Sequence, residues 1–447
     1  MSTDAPPPSQ VRPQVDRALS LLAAGDYDIA LRAALPLCER DASSAIAWFL
    51  VGTAVGQANT ELAERALRFA AKAAVHSAHL PLAIAAAVSL RPLGIEPAQL
   101  LSQIASAYGR GSPQLAERRA APPALPRPVD RHEPLGQEQE ESGEALRKHI
   151  EGLLTSAEAA LTPDKPKSLS PHPLFSALPA SELAEFASIF EVLILPEQRR
   201  VVEEGNLGAE AYVVARGELE VEKQGSSPGA PSVHLARLSA GALFGEMALL
   251  SRSPRAASVT TMLPSVLLVG NKEALDRVAA HAPVVAHVFA EHCKRRMLEN
   301  LMRTSPLFRS ASAAERPALI ERFVIRTFEP GDRVASQGKA SEGLYLIASG
   351  QVQIVHGEGD ERTIVTELGA GEVVGEVALI LRRSAIANAV ASHPTVSLFL
   401  PAARFLDLVR AHPRVFADLY QLAVSRDEEI QSISQEETLE GEDFVLV

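Results

Sequence analysis

Cysteine is scarce in this chain: only Cys38 and Cys293 occur among 447 residues. Two cysteines so far apart build no disulfide framework and have no metal-ligand spacing, which suits a reducing compartment. No run of about 18 apolar residues exists, so no membrane span is expected. The opening MSTDAPPPSQ has no charged start leading into an apolar stretch, so no signal peptide is expected. Positive charge is in deficit: 43 Lys and Arg face 55 Asp and Glu, a net charge of −12, which argues against a nucleic-acid partner. Metal-dependent chemistry lacks its ligands, because His234 and His356 stand without a His-x-His pair followed by Glu. What remains is a soluble, cytoplasmic chain, expected to be no enzyme and to hold no metal.

Hydrophobic residues make up 47% and charged residues 22%, an ordinary globular balance with room for two to four domains. From Val15 to Tyr108 the chain is rich in Ala and Leu, broken at Gly25-Asp26, Asp41 to Ser44 and Gln57 to Thr60. Helices are expected between those breaks. Leu19 to Leu35 is echoed by Phe49 to Ala70, with Ala30 and Ala63 separated by 33 residues. This period resembles a tetratricopeptide repeat, whose groove would bind a protein partner; a plain helical bundle is the alternative. Trp48, the only tryptophan, is expected in the core. The stretch APPALPRPVDRHEP cannot continue a helix. Beyond it, Leu146, Ile150, Leu153 and Leu154 mark one short amphipathic helix in an otherwise mobile tether.

From Pro173 to Val424 the chain repeats itself. Pro173-Leu174-Phe175, Phe190, Gly205 and Gly217 recur as Pro306-Leu307-Phe308, Phe323, Gly338 and Gly350, at an offset of 133. After the intervening loop the offset is 130, and Gly245-Glu246 recurs as Gly375-Glu376. Segments such as AYVVARGELEVEK and LYLIASGQVQIVH alternate with strand periodicity and carry Gly at the turns. The expected fold class is multidomain α + β. An all-α, helical-repeat-like N-terminus precedes two β-roll, jelly-roll-like barrels, each flanked by helices. The expected boundaries are a tail over 1–13, a helical domain over 14–119, a linker over 120–171, barrel domains over 172–304 and 305–430, and an acidic tail over 431–447. Between the barrels, Val284 to Thr304 reads as a long amphipathic helix whose Lys294-Arg295-Arg296 run suits a solvated face.

The stretch FGEMALLSRSPRAASV, from Phe244 to Val259, concentrates groups suited to an anionic sugar ligand. Gly245 lets backbone approach a ligand closely, and Met247 to Leu250 have the composition of one helical turn, whose free N–H groups suit phosphate. Arg255 can fork two donors onto two phosphate oxygens, and Glu246, an acceptor when ionised, suits a sugar hydroxyl. The small Ala256 and Ala257 keep their N–H groups reachable.

The stretch resembles the phosphate-binding cassette of cyclic-nucleotide-binding domains. That module is found in the regulatory subunits of cAMP-dependent kinase, cyclic-nucleotide-gated channels and bacterial catabolite-type activators. By position, the resemblance assigns the ribose 2′-hydroxyl to Glu246 and the cyclic phosphate to Arg255, with backbone N–H groups from Gly245 and Ala256. The expected ligand-binding set is Phe244, Gly245, Glu246, Met247, Ala248, Arg255, Ala256, Ala257 and Ser258. Ala256 stands where kinase-type domains selective for cGMP often carry Thr, so cAMP is expected as the ligand and cGMP as the lesser candidate.

The second cassette, VGEVALILRRSAIANAV, keeps Gly375 and Glu376 but has Ala385 where the family needs Arg. A phosphate there would have no countercharge, unless Arg382 or Arg383 supplied it; this site is expected to be degenerate and its barrel structural, a partner surface or a lid. Arg118-Arg119-Ala120-Ala121 fits the bare inhibitor consensus of kinase regulatory subunits, yet Pro122 departs from it, and a solvated helix end is the favoured reading. The resemblance implies a cyclic-nucleotide-sensing regulator acting on an unidentified protein partner, with the helical N-terminus as the candidate contact. The alternative is a non-binding adaptor. The acidic end leaves no room for the helix-turn-helix of the catabolite-type activators.

Overall fold

A computed structural model describes residues 14–116, 143–161, 168–224, 232–246, 254–304, 322–357, 362–411 and 413–442. The chain forms two compact units. The first holds the N-terminal helices and the first set of strands as far as Phe289, without Glu204–Ala209 and Glu246–Ala256; the second holds those two segments and the chain from Ala290 onward.

In the first unit six helices run in sequence: α1 (Gln14–Ala24), α2 (Tyr27–Arg40), α3 (Ala45–Val55), α4 (Thr60–His76), α5 (Leu80–Val88) and α6 (Ala98–Tyr108). Each break foreseen from composition falls between two of them. Ser44 and Asn59 act as N-caps, their side chains accepting from Ala47 N–H at 3.4 Å and Leu62 N–H at 3.0 Å. α3 and α5 are buried along nearly their whole length, which their apolar sequences AIAWFLVGTAV and LPLAIAAAV require. Trp48 is fully buried, edge-on to Phe69 at 5.7 Å, with its indole N–H satisfied by Ala42 O at 2.9 Å.

α7 (Glu144–Ala160) corrects the expectation of a loose tether, because it docks on α2 and α4. Ile150, Leu154 and Ala157 form the buried stripe, while Leu146 and Leu153 lie half-buried beside it. His149 meets Glu39 at 3.2 Å and Arg65 meets Glu158 at 2.7 Å. The candidate inhibitor site at Arg118 to Ala121 lies outside the described residues.

After α8 (Ala180–Ser188) come β1 (Glu191–Leu195), β2 (Arg200–Val202), β3 (Glu210–Arg216), β4 (Leu219–Lys223), β5 (Val233–Leu238), β6 (Leu243–Phe244), β7 (Ser258–Thr261) and β8 (Ser265–Asn271). They form two antiparallel four-stranded sheets, in the orders β1-β8-β3-β6 and β2-β7-β4-β5, a jelly-roll arrangement. Tyr212, Val214, Leu219, Phe244, Val259 and Leu267 meet inside. The helices are joined to this body. Arg216 Nη2 meets the buried Asp16 Oδ1 at 2.6 Å, and Arg91 Nη1 donates to Phe190 O at 2.9 Å. α9 (Lys272–His281) and α10 (Pro283–Thr304) follow, and Phe289 of α10 meets Phe186 at 6.2 Å.

In the second unit the strands recur as β9 (Val324–Phe328), β10 (Arg333–Ala335), β11 (Gly343–Ser349), β12 (Val352–His356), β13 (Thr363–Leu368), β14 (Val373–Val374), β15 (Asn388–Ala391) and β16 (Thr395–Pro401). Their sheets repeat the orders of the first set, β9-β16-β11-β14 and β10-β15-β12-β13. β3 and β11 start 133 residues apart, and β8 and β16 start 130 apart, so the change of offset falls in the loop after β4 and β12. Period-2 alternation divides each strand between two cores. Tyr345 and Phe399 point between the sheets, whereas Leu344, Leu346, Leu398 and Leu400 face helices, meeting Met297, Leu298 and Leu301 of α10 and Phe405 of α12 (Ala402–Ala411). The last described element is α13 (Pro413–Glu442), which continues past the expected end at Ile430. No Pro or Gly interrupts it before Gly441, so nothing in the acidic stretch stops the helix.

Candidate functional site

Glu246 lies two residues past the end of β6 and is buried, and Gly245 between them takes a positive φ of 73°. The partner of Glu246 was not foreseen: Arg296 of α10 approaches its Oε1 with Nε at 3.6 Å. The basic run is therefore solvated only at Arg295, which is exposed, while Lys294 and Arg296 are largely withdrawn from water. Lys294 is mostly buried beside Glu291, Arg295 Nη2 donates to His292 Nδ1 at 3.2 Å, and Arg296 turns to the cassette carboxylate. Burial, with Glu246 adding to it, holds the Cys293 thiol well above its ordinary value.

Arg255 is also buried, held by the loop before β3. Its backbone N–H donates to Asn206 O at 2.9 Å, and its carbonyl accepts from Gly205 N–H at 2.8 Å. A Cβ added at Gly208 would stand 2.5 Å from Arg255 Nη2, so only glycine leaves the guanidinium its place. A buried, always-charged fork in a cradle of this kind fits a phosphate.

The other expected residues divide. Phe244 belongs to the interior of its barrel, stacked on Tyr212 at 4.9 Å, as its inward register on β6 dictates. Ser258 is buried at the start of β7, Ala256 is exposed and Ala257 half-buried. Met247 and Ala248 lie outside the described residues. The second unit contains Glu246, Arg255 and Ala256, and the first contains Phe244, Gly245, Ala257 and Ser258.

In the second cassette Gly375 takes φ 91° and opens α11 (Glu376–Ile380). Glu376 is buried, and Arg426 of α13 donates to its Oε1 at 2.7 Å, to Val373 O at 2.6 Å and to Glu372 Oε1 at 3.1 Å. Burial raises the Glu376 carboxyl above its ordinary value, against the opposing pull of Arg426. Ala385 occupies the same backbone frame as Arg255: its N–H donates to Lys339 O at 2.9 Å and its carbonyl accepts from Gly338 N–H at 2.8 Å. Arg383 pairs with Asp427, and Arg382 is exposed with φ 52°. Neither lines the pocket beside Glu376. Among the described residues no group of His, Cys, Asp and Glu could hold a metal ion, and no helix is long and apolar enough to cross a membrane.

Arg296 and Arg426 stand 130 residues apart, the offset that relates Glu246 to Glu376. The repeat could have exposed both pairings in the sequence, but short basic runs look alike whether solvated or buried.

Two stretches, residues 193–282 and 325–412, match the cyclic nucleotide-binding domain family, so the chain carries two such domains in tandem. Over 215 residues it is 29% identical to a cAMP-dependent protein kinase type II regulatory subunit of Drosophila melanogaster, covering 48% of this chain and 52% of that protein. Over 189 residues it is 32% identical to a cAMP-dependent protein kinase regulatory subunit of Blastocladiella emersonii, covering 42% and 44%. The chain thus spans about half the length of the curated relatives it matches. A solved structure of the regulatory domain of Toxoplasma gondii PKA with cAMP is 22% identical and covers 57% of this chain and 92% of that one, at a TM-score of 0.27, too low to bear on function.

Proposed function

We propose that this chain, with its two cyclic nucleotide-binding domains in tandem, is a non-enzymatic regulatory protein that senses cAMP in its first cassette and relays the signal to a protein partner. One observation carries the reading: a buried carboxylate at Glu246 and a buried, glycine-cradled guanidinium at Arg255, the two groups that a cyclic nucleotide needs. The small residue at Ala256 favours cAMP over cGMP. The second domain lacks the phosphate cation and serves as a scaffold toward this ligand. The names of the relatives point to a protein kinase as the partner class. The tetratricopeptide-like reading of α1–α6 offers them as the surface that meets the partner, in the cytoplasm.

Relay requires the ligand to favour one arrangement over another by a real free-energy difference. Arg296 supplies a route, because a hydroxyl arriving at Glu246 enters the shell of the carboxylate that α10 already touches.

Calorimetric titration of cAMP and cGMP tests the reading. One site with cAMP tighter is expected. Arg255→Ala leaves a buried phosphate without its partner, a cost of about 3–5 kcal/mol, or roughly two to four decades of affinity. No heat with either ligand, together with no thermal shift, would leave an adaptor instead. The relay is read by hydrogen exchange: cAMP is expected to change protection across 290–304, and Arg296→Ala to abolish that change while the ligand still binds.

A further inference from the structure

The second domain keeps a pocket beside its cassette carboxylate. It opens beside Glu376, between the strands and Arg426 of α13. Ala335, Ile354, Leu368, Val374 and Ala389 give it apolar walls, and Glu376 stands among them. The two backbone hydrogen bonds that hold Arg255 in the first cassette recur around Ala385, where a methyl group stands in place of the guanidinium.

Charge decides what such a pocket can accept. Three charged side chains line it: Glu376, Glu429 and Arg426. Arg426 is committed to Glu376, Glu372 and Val373 O. Arg383 is committed to Asp427 and does not line the space. Two carboxylates against one engaged guanidinium disfavour an anion. They do not disfavour hydroxyls. An ionised carboxylate with one oxygen fixed by Arg426 keeps a second oxygen as an acceptor for O–H donors. The apolar walls suit a planar ring system.

We propose that the second pocket takes an uncharged, ribonucleoside-like ligand, with sugar hydroxyls on Glu376 and a planar body against Ile354 and Val374, and that it rejects cyclic phosphates. The inference rests on the reading of Glu246 as a hydroxyl acceptor in the first cassette, whose repeat counterpart is Glu376. It needs no ligand in that first cassette.

The test titrates adenosine, 2′-deoxyadenosine and cAMP into the full-length Arg255→Ala protein. Adenosine should bind at one site, 2′-deoxyadenosine about tenfold more weakly or worse, and cAMP not at all. Adding Glu376→Gln should weaken adenosine by about tenfold or more. Adding Ala385→Phe, which places a large side chain at a residue lining the pocket, should abolish binding with the circular dichroism unchanged. Adding Ala385→Arg should restore a cAMP site. Silence with adenosine up to millimolar concentration overturns the proposal, as does equal binding of the 2′-deoxy compound or survival of binding in Ala385→Phe. Failure of cAMP to bind the unaltered protein would instead sink the reading of the first cassette, while the Glu376→Gln and Ala385→Phe variants assign the adenosine site to the second pocket rather than to the altered first one.

Discussion

Arg426 shows what a single residue decides. Its guanidinium is the counterion of a fully buried carboxylate, and removing it leaves Glu376 charged in an apolar pocket. Breaking such a pair costs about 3–5 kcal/mol. Arg426→Ala should therefore shift the urea midpoint of the second domain by a large fraction of its stability. The pH dependence has a definite sign. Burial already raises the Glu376 carboxyl above its unfolded value. A group raised on folding stabilises fully below its unfolded value and loses that contribution as pH rises through the folded one. Without Arg426 the folded value climbs further, so the deficit should be smaller at about pH 5 than at about pH 8. A pH-independent deficit would show that Arg426 acts by packing alone. The role of Glu376 in the repeat was legible from its place after Gly375. Its partner was harder to read, because an arginine on a helix looks the same in sequence whether it is solvated or buried.

α7 displays the same limit at the scale of an element. Its period of 3.6 was readable from Leu146, Ile150, Leu153 and Leu154, and so was its amphipathic character. Whether the apolar stripe would face a partner or stay on a tether depended on the surface that α2 and α4 present. Ile150 and Leu154 are buried there. The attachment should be apolar rather than ionic. Leu154→Ala is expected to cost about 2–5 kcal/mol by cavity formation. Glu158→Ala, at a pair whose side chains are 40% and 41% exposed, should cost under about 1 kcal/mol. Thermal melts of both variants check the order, and a larger loss for Glu158→Ala would reverse it. The strands were the most legible elements, because two copies constrain one pattern. The segments AYVVARGELEVEK and LYLIASGQVQIVH, read as strands from their alternation, hold β3 and β4 and their repeats β11 and β12.

At the scale of the whole molecule, the helical N-terminus and the first barrel belong to one compact unit. Asp16 and Arg216 tie them through a pair that is almost wholly out of water, with side-chain exposures of 3% and 16%. Asp16→Ala should destabilise the unit by about 3–5 kcal/mol. Paired replacement by Leu and Met should recover much of that loss, since a buried ion pair often exchanges for apolar packing at little cost. Hydrogen exchange should register both changes together across 14–108 and 168–289. Response of the helices alone would mean that they unfold independently.

The sequence by itself determined the local and the repeated: helix breaks set by Gly, Asp and Asn, strands set by alternation, two barrels set by internal likeness, and an alanine, Ala385, at the repeat position of Arg255. These follow from interactions between near neighbours and from comparison of one copy with the other. The tertiary structure decided which distant charges meet: Arg296 with Glu246, Arg426 with Glu376, Arg383 with Asp427, and Arg216 with Asp16. A charge looks the same in sequence whether water or a carboxylate surrounds it, and only folding removes the water.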